Sequence, residues 1–212
     1  MPRTARNVEE VDIFKQQILD AAVKIVIREG FARLSMRKIA AALGVTATTL
    51  YNYYTNKDEL YFYIRIRGFE LLYGLFEKAY TSASDSRDKI KSLIASYIEF
   101  GIQYPDYYEV MFLNRNVPKF LDCIGTPLEV VGAKEKEIAL KPFAFVIEKL
   151  QQHCELDPDS AYVTALQLWI ECNGVVSLYN SRLIREVHDN PQRFVDSYVD
   201  VIAQRYIPLD IK

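Results

Sequence analysis

The chain of 212 residues holds no apolar run approaching the eighteen or so residues of a membrane-spanning helix. Its opening stretch, MPRTARNVEEVD, lacks the apolar core of a secretory signal. Both absences predict a cytoplasmic protein with no membrane partner. Cysteine is scarce, and Cys123, Cys154 and Cys172 form no CxxC pair. An odd, scattered set of this kind implies reduced thiols and not a disulfide framework. Histidine is scarcer, with only His153 and His188, and nothing has the spacing of metal ligands. Neither a metal nor a cofactor is expected. No acid, base or nucleophile set with recognisable spacing is present, so no catalytic residue is named and an enzyme is not expected. Strand alternation persists nowhere, which predicts an all-α fold.

What the chain does have is concentrated between Leu34 and Leu60, LSMRKIAAALGVTATTLYNYYTNKDEL. Ser35 is a helix N-cap residue, and Ile39, Ala40 and Leu43 follow on one apolar face. Gly44 comes just past the last periodic residue, where a left-handed C-cap favours glycine. Thr46 caps a second short helix with Leu50 facing inward. Asn56 caps a third, with Glu59 three residues on. Two short helices around a glycine turn describe a helix-turn-helix. A helix entering the major groove needs small polar side chains at its N-terminal end, and Thr46, Ala47, Thr48 and Thr49 supply them. An ordinary helical hairpin inside an all-α protein would show much of the same pattern.

Charge is distributed unevenly. Residues 1–67 carry eleven Lys and Arg against seven Asp and Glu, a net +4, whereas residues 68–212 carry fifteen against twenty-one, a net −6. A basic first third on an acidic remainder is the footprint of one end facing phosphates. Within that third, Arg37 and Lys38 open the first helix of the pair.

Further helices are predicted over about 9–29, 57–81, 86–104 and 129–152, the last kinked or split by Pro142. Pro105 starts a short one, DYYEVMFL, and the stretch 114–127 reads as a loop. Asp157 and Pro158 open a helix to about Val187, with Ala161, Ala165, Leu168, Cys172, Val175 and Tyr179 on a heptad-like seam. Asn190 and Pro191 open the last one, striped by Phe194, Val195, Tyr198, Ile202 and Tyr206, with Val199 among them. These two stripes either close the chain's own core or meet a second copy. Residues 1–8, with Arg3 and Arg6, read as a frayed terminus or an arm toward DNA.

The stretch Gly44, Val45, Thr46, Leu50, Tyr51, Tyr53 and Lys57 resembles the signature of TetR/AcrR bacterial regulators, with Tyr54 where phenylalanine is usual. The resemblance covers about residues 11–65. It implies a helix-turn-helix DNA-binding domain over 1–56 and a helical ligand-binding and dimerisation domain over 57–212. It further implies a homodimer, through the last two long helices, on an inverted-repeat double-stranded DNA operator. Tyr51, Tyr53 and Lys57, helped by Ser35, would hold phosphates. Thr46, Ala47, Thr48, Thr49 and Arg37 would face base edges. YPDYYEVMFL and WIECNGVVSL resemble one C-terminal type of the family, named for a Trp-x-x-x-His-Gly motif, with Asn173 in place of the histidine. A regulator of this type needs an apolar cavity with a few polar anchors. Phe76, Tyr97, Phe100, Tyr104, Phe112, Phe143 and Trp169 could line it, with Asn173 and tyrosine hydroxyls as anchors. Few cations lie among them, so an apolar or weakly polar effector is expected. Gly174, costing ~1 kcal/mol against alanine in a helix interior, suggests close packing or ligand approach. The competing readings are an all-α small-molecule-binding enzyme and a helical adaptor without a DNA role.

Overall fold

A computed structural model describes residues 8–113 and 118–207, with the backbone only at Val8 and Phe31. The arm residues Arg3 and Arg6, and positions 114–117 of the predicted loop, lie outside that range. Among the described residues there is no strand, and the all-α expectation holds. No described helix is long and apolar enough to cross a membrane.

The chain divides into two compact units, Met1–Arg67 with Glu109–Lys136, and Gly68–Tyr108 with Glu137–Lys212. In the first, α1 (Val8–Glu29) leads through a 3-10 turn (Phe31–Arg33) into α2 (Met36–Ala42) and α3 (Ala47–Tyr51). Phe14, Ile18, Ala22 and Ile25, three or four residues apart on α1, are buried with Leu34, Ile39 and Leu50 to form the core. The opening of α4 (Lys57–Ser82) adds Leu60, Tyr61, Phe62 and Ile64 to this unit's buried side chains. Residues 109–136 supply a π-helical turn (Glu109–Leu113), a 3-10 turn (Phe120–Cys123) and the start of α7 (Glu129–Cys154). This unit thus reaches beyond residue 56 and takes in a distant segment.

The second unit packs α5 (Ser86–Gln103), α8 (Pro158–Asn180) and α10 (Pro191–Tyr206) on one another. A short α6 (Pro105–Tyr108) starts at the predicted proline, and α7 passes through Pro142 without being split. The heptad-like seam of α8 faces inward: Ala161, Ala165, Leu168, Cys172 and Val175 are all buried in the chain's own core. Val199 on α10 is buried the same way, so it is no interface position. The helix predicted to reach Val187 ends at Asn180. Arg182 takes a left-handed backbone (φ +65°) and a separate short α9 (Ile184–Val187) follows. An arginine gives no stop signal of the kind glycine or proline provides. All three cysteines are buried and unbonded to one another.

Candidate nucleic-acid interface and effector region

The turn between α2 and α3 is closed at both ends by the residues the sequence singles out. Ser35 Oγ accepts the Lys38 N–H at 3.3 Å, capping α2. At its other end Gly44 has φ +64°, Gly44 N–H donates to Ala41 O at 3.2 Å, and Val45 N–H donates to Ala40 O at 3.0 Å. That double bond is the Schellman arrangement, which a residue with a Cβ adopts only with strain. Thr46 Oγ1 then accepts the Thr49 N–H at 3.2 Å and lies 3.0 Å from Thr49 Oγ1. Thr46 and Thr49 therefore satisfy one another, leaving Thr48 as the exposed hydroxyl without such a neighbour on this turn.

Two tyrosines fix the pose of α3. Tyr54 is buried, and its hydroxyl donates to the Lys15 carbonyl of α1 at 3.2 Å. A phenylalanine could not make that bond, so the departure from the family signature gains an anchor. Tyr53 packs edge-on against Phe14 with ring centroids 4.9 Å apart. Tyr51 and Arg37 are exposed, Ala47 and Lys57 half-buried. Asn56 Oδ1 accepts the Glu59 N–H at 2.9 Å, but the Glu59 carboxylate takes the Thr55 N–H instead of that of Asn56. The expected reciprocal cap is thus shifted by one residue. Lys38 turns away to Glu29 at 2.5 Å, and this partner, ahead of Arg28, lowers the Glu29 pKa.

In the second unit the predicted effector residues separate into groups. Tyr97, Trp169 and Asn173 meet in one network with Tyr108, which the sequence reading did not single out although it stands in the quoted YPDYYEVMFL. Tyr97 Oη donates to Asn173 Oδ1 at 3.0 Å, and Tyr108 Oη donates to the same oxygen at 2.8 Å. Trp169 Nε1–H donates to Tyr97 Oη at 3.1 Å, and Asn173 Nδ2 donates to the Trp169 carbonyl at 2.8 Å. Burial pushes the Tyr108 phenol up to about 12 and Tyr97 well above the usual tyrosine range. Burial likewise moves the Cys172 thiol up to about 12, which keeps it protonated and unreactive. Asn173 thus has its carbonyl oxygen engaged inside the fold.

Phe143 lies 6.0 Å from Trp169 and Phe100 lies 5.6 Å from Tyr104, centroid to centroid. Phe76 is buried on α4, and Phe112 sits in the π-helical turn of the other unit. Gly174 has no neighbour within 4 Å of where a Cβ would stand, so packing within the chain does not explain it. The close glycine contact falls at Gly101 instead.

A capped helix pair with a glycine turn, exposed Thr48 and Arg37, and a net charge of +4 over residues 1–67 describe a helix-turn-helix of the DNA-binding kind. Residues 18–64 match the family model described as bacterial regulatory proteins, tetR family. Over those residues the chain carries the DNA-binding helix-turn-helix domain that this family model describes. An uncharacterised HTH-type transcriptional regulator of Haemophilus influenzae is 28% identical over 107 residues, 50% of this chain and 57% of that protein. The chain spans about half the length of the curated relatives it matches. Among solved structures, a protein of unknown function from Rhodococcus sp. RHA1 superposes with a TM-score of 0.72 at 16% identity, covering 98% of both chains. AibR, solved with isovaleryl coenzyme A and operator DNA, superposes with a TM-score of 0.63 at 17% identity, covering 88% of this chain and 96% of that one. At these identities the likeness concerns the fold.

Proposed function

We propose that the protein is a ligand-responsive transcriptional repressor that binds an inverted-repeat operator as a homodimer. DNA reading is assigned to residues 1–56, effector binding and dimerisation to 57–212. Thr46, Ala47, Thr48, Thr49 and Arg37 face base edges, while Ser35, Tyr51, Tyr53 and Lys57 hold the backbone. The single observation that carries the dimer is the outward face of α8. Val163, Ile170 and Leu178 are exposed on it, Ile170 at 63%, and Gly174 leaves the same face open to a close neighbour. Val201 is likewise exposed on α10. Two recognition helices then meet successive major grooves, with half-sites ~34–36 Å apart or a multiple of that.

The effector is an apolar or weakly polar small molecule held among the aromatic side chains of the second unit. AibR, which was solved with both an acyl thioester and operator DNA, supports a fold of this kind serving an effector and an operator together. Tyr104, Phe143 and Trp169 keep exposed surface in the chain and are the first candidates for contact. The test combines sedimentation, selection of a duplex from a randomised pool, and a screen of apolar carboxylic acids, their thioesters and neutral sterol-like compounds. A dimer that selects an inverted repeat and releases it with one such compound supports the proposal. A monomer at micromolar concentration, or an affinity indifferent to every compound, refutes it.

A further inference from the structure

The first turns of α4 hold a buried ion pair that DNA contact does not require. Arg65 and Glu135 are only 7% and 3% exposed, with Arg65 Nη2 2.9 Å from Glu135 Oε1. The guanidinium carbon lies 5.8 Å from the Tyr61 ring centroid, and Tyr61 Oη donates to the Val110 carbonyl at 2.6 Å. Contacts one turn apart on α4 therefore tie it to the π-helical turn and to α7, both inside the same compact unit. Lys119 adds another cation close by. Burial first, and then the Arg65 charge, lower its ammonium pKa.

Stability does not account for this pair. Burial outweighs the attraction of Arg65 and raises the Glu135 carboxyl above the usual glutamate range. For a raised folded value, the group's contribution to stability is complete below its unfolded pKa and is lost as pH rises through the folded one. Ionising that carboxyl inside the fold therefore works against folding. Buried pairs of this kind are often matched or exceeded in stability by apolar side chains of similar volume. What an apolar contact cannot do is admit one register alone. The opposite charges of Arg65 and Glu135, with the Tyr61–Val110 hydrogen bond one turn away, fix the turn of α4 against 109–136, where interchangeable methyl contacts would let it slip.

We propose that Arg65 and Glu135 are positioning residues for operator binding, holding the foot of α4, and the helix-turn-helix that leads directly into it, in a single register on the 109–136 segment. The inference rests on the dimeric operator reading, because two recognition helices can meet successive grooves together only if each is held in one orientation.

The test uses the full chain and two duplexes, one enriched from a randomised pool against the wild type and one unrelated. The double variant Arg65→Met/Glu135→Leu should melt no lower than the wild type. Its affinity for the enriched duplex should fall about tenfold, while its affinity for the unrelated duplex stays unchanged because phosphate contacts remain. A pair that served stability alone would lower the melting temperature and leave the ratio of the two affinities as in the wild type, which overturns the inference. Tyr61→Phe disturbs the same junction more gently and covers the case in which the double variant does not fold. It should lower the ratio about threefold, and a wild-type ratio there overturns the inference as well. A wild type that enriches no duplex sinks the operator reading and this inference together. A wild type that enriches a duplex bound equally well by the variants sinks the inference alone.

Discussion

Gly101 on α5 faces Val176 on α8 so closely that a Cβ at residue 101 would lie 2.4 Å from Val176 Cγ1. The Gly101 carbonyl also accepts a hydrogen bond from Asn180 Nδ2 at 3.0 Å, near the end of α8. The contact is side chain against helix backbone, so neither partner can yield cheaply. Gly101→Ala should destabilise the protein by about 1–3 kcal/mol, the usual cost of overpacking. Urea denaturation would show it as a lower midpoint at an unchanged slope, and an undiminished midpoint would contradict the packing.

Two valines two residues apart on α10 separate the proposed dimer interface from the fold. Val199 is 6% exposed in the chain, whereas Val201 is 42% exposed. A charge at Val199 must be buried without a partner, so Val199→Glu should unfold the second unit. Val201→Glu should instead leave the helical content intact and yield a monomer that no longer binds its operator. Circular dichroism with sedimentation velocity distinguishes them. A Val201→Glu protein that remains dimeric removes α10 from the interface.

The proposed roles of Lys57 and Thr48 divide DNA binding between phosphates and bases. Lys57→Ala should weaken binding to every duplex and reduce the salt dependence by about one phosphate's worth. Thr48→Ala should alter which operator is preferred with little effect on the slope, since base contacts specify and phosphate contacts position. Titrations at several salt concentrations on both a selected and an unrelated duplex check this. Wild-type slope and affinity in Lys57→Ala would remove that residue from the phosphate set.

Asn173 and Gly174 are neighbours with opposite expectations. Asn173→Ala takes the acceptor from Tyr97 and Tyr108 at once. Tyr108 Oη can still donate to the backbone carbonyl of residue 173, 3.2 Å away, but the Tyr97 hydroxyl loses this acceptor at a cost of ~1–3 kcal/mol, so the melting temperature should fall. Gly174 has open space around it, and Gly174→Ala should raise helix stability by ~1 kcal/mol. Gly174→Trp should leave the fold intact and weaken dimerisation, and a dimer of unchanged affinity would show that no partner approaches there.

His153 should make the second unit sensitive to mild acid. Its Nε2 lies 2.7 Å from Tyr80 Oη and its Nδ1 2.9 Å from Ser86 Oγ. Burial, then the charges of Lys89 and Lys149, hold its pKa below the ordinary histidine value of 6.5. The folded protein thus takes up this proton less readily than the unfolded chain. Its contribution to stability is complete above the unfolded pKa and is lost as pH falls through the lower folded one. Melting temperatures measured from about pH 7 to pH 5 should decline less steeply in His153→Gln than in the wild type. Parallel curves would show that His153 does not titrate in that window.

The segment from Ser35 to Glu59 was legible in the sequence because each of its signals acts on residues within four positions. Ser35 caps Lys38, Thr46 caps Thr49, Gly44 closes the turn and Asn56 caps Glu59, all through hydrogen bonds between near neighbours. The starts of α8 and α10 at Asp157–Pro158 and Asn190–Pro191 follow from the same kind of local chemistry. Other features depend on which distant residue the chain brings near, and no local pattern encodes that. The end of α8 at Asn180 rests on the left-handed Arg182, a residue without a stop signal. The side of α10 that faces inward, the Tyr97–Asn173–Tyr108 network and the Arg65–Glu135 pair each join side chains far apart in the sequence. Apolar periodicity says that a face is buried, but only the closed tertiary structure decides against what, because burial is a property of the assembled surfaces and not of one helix.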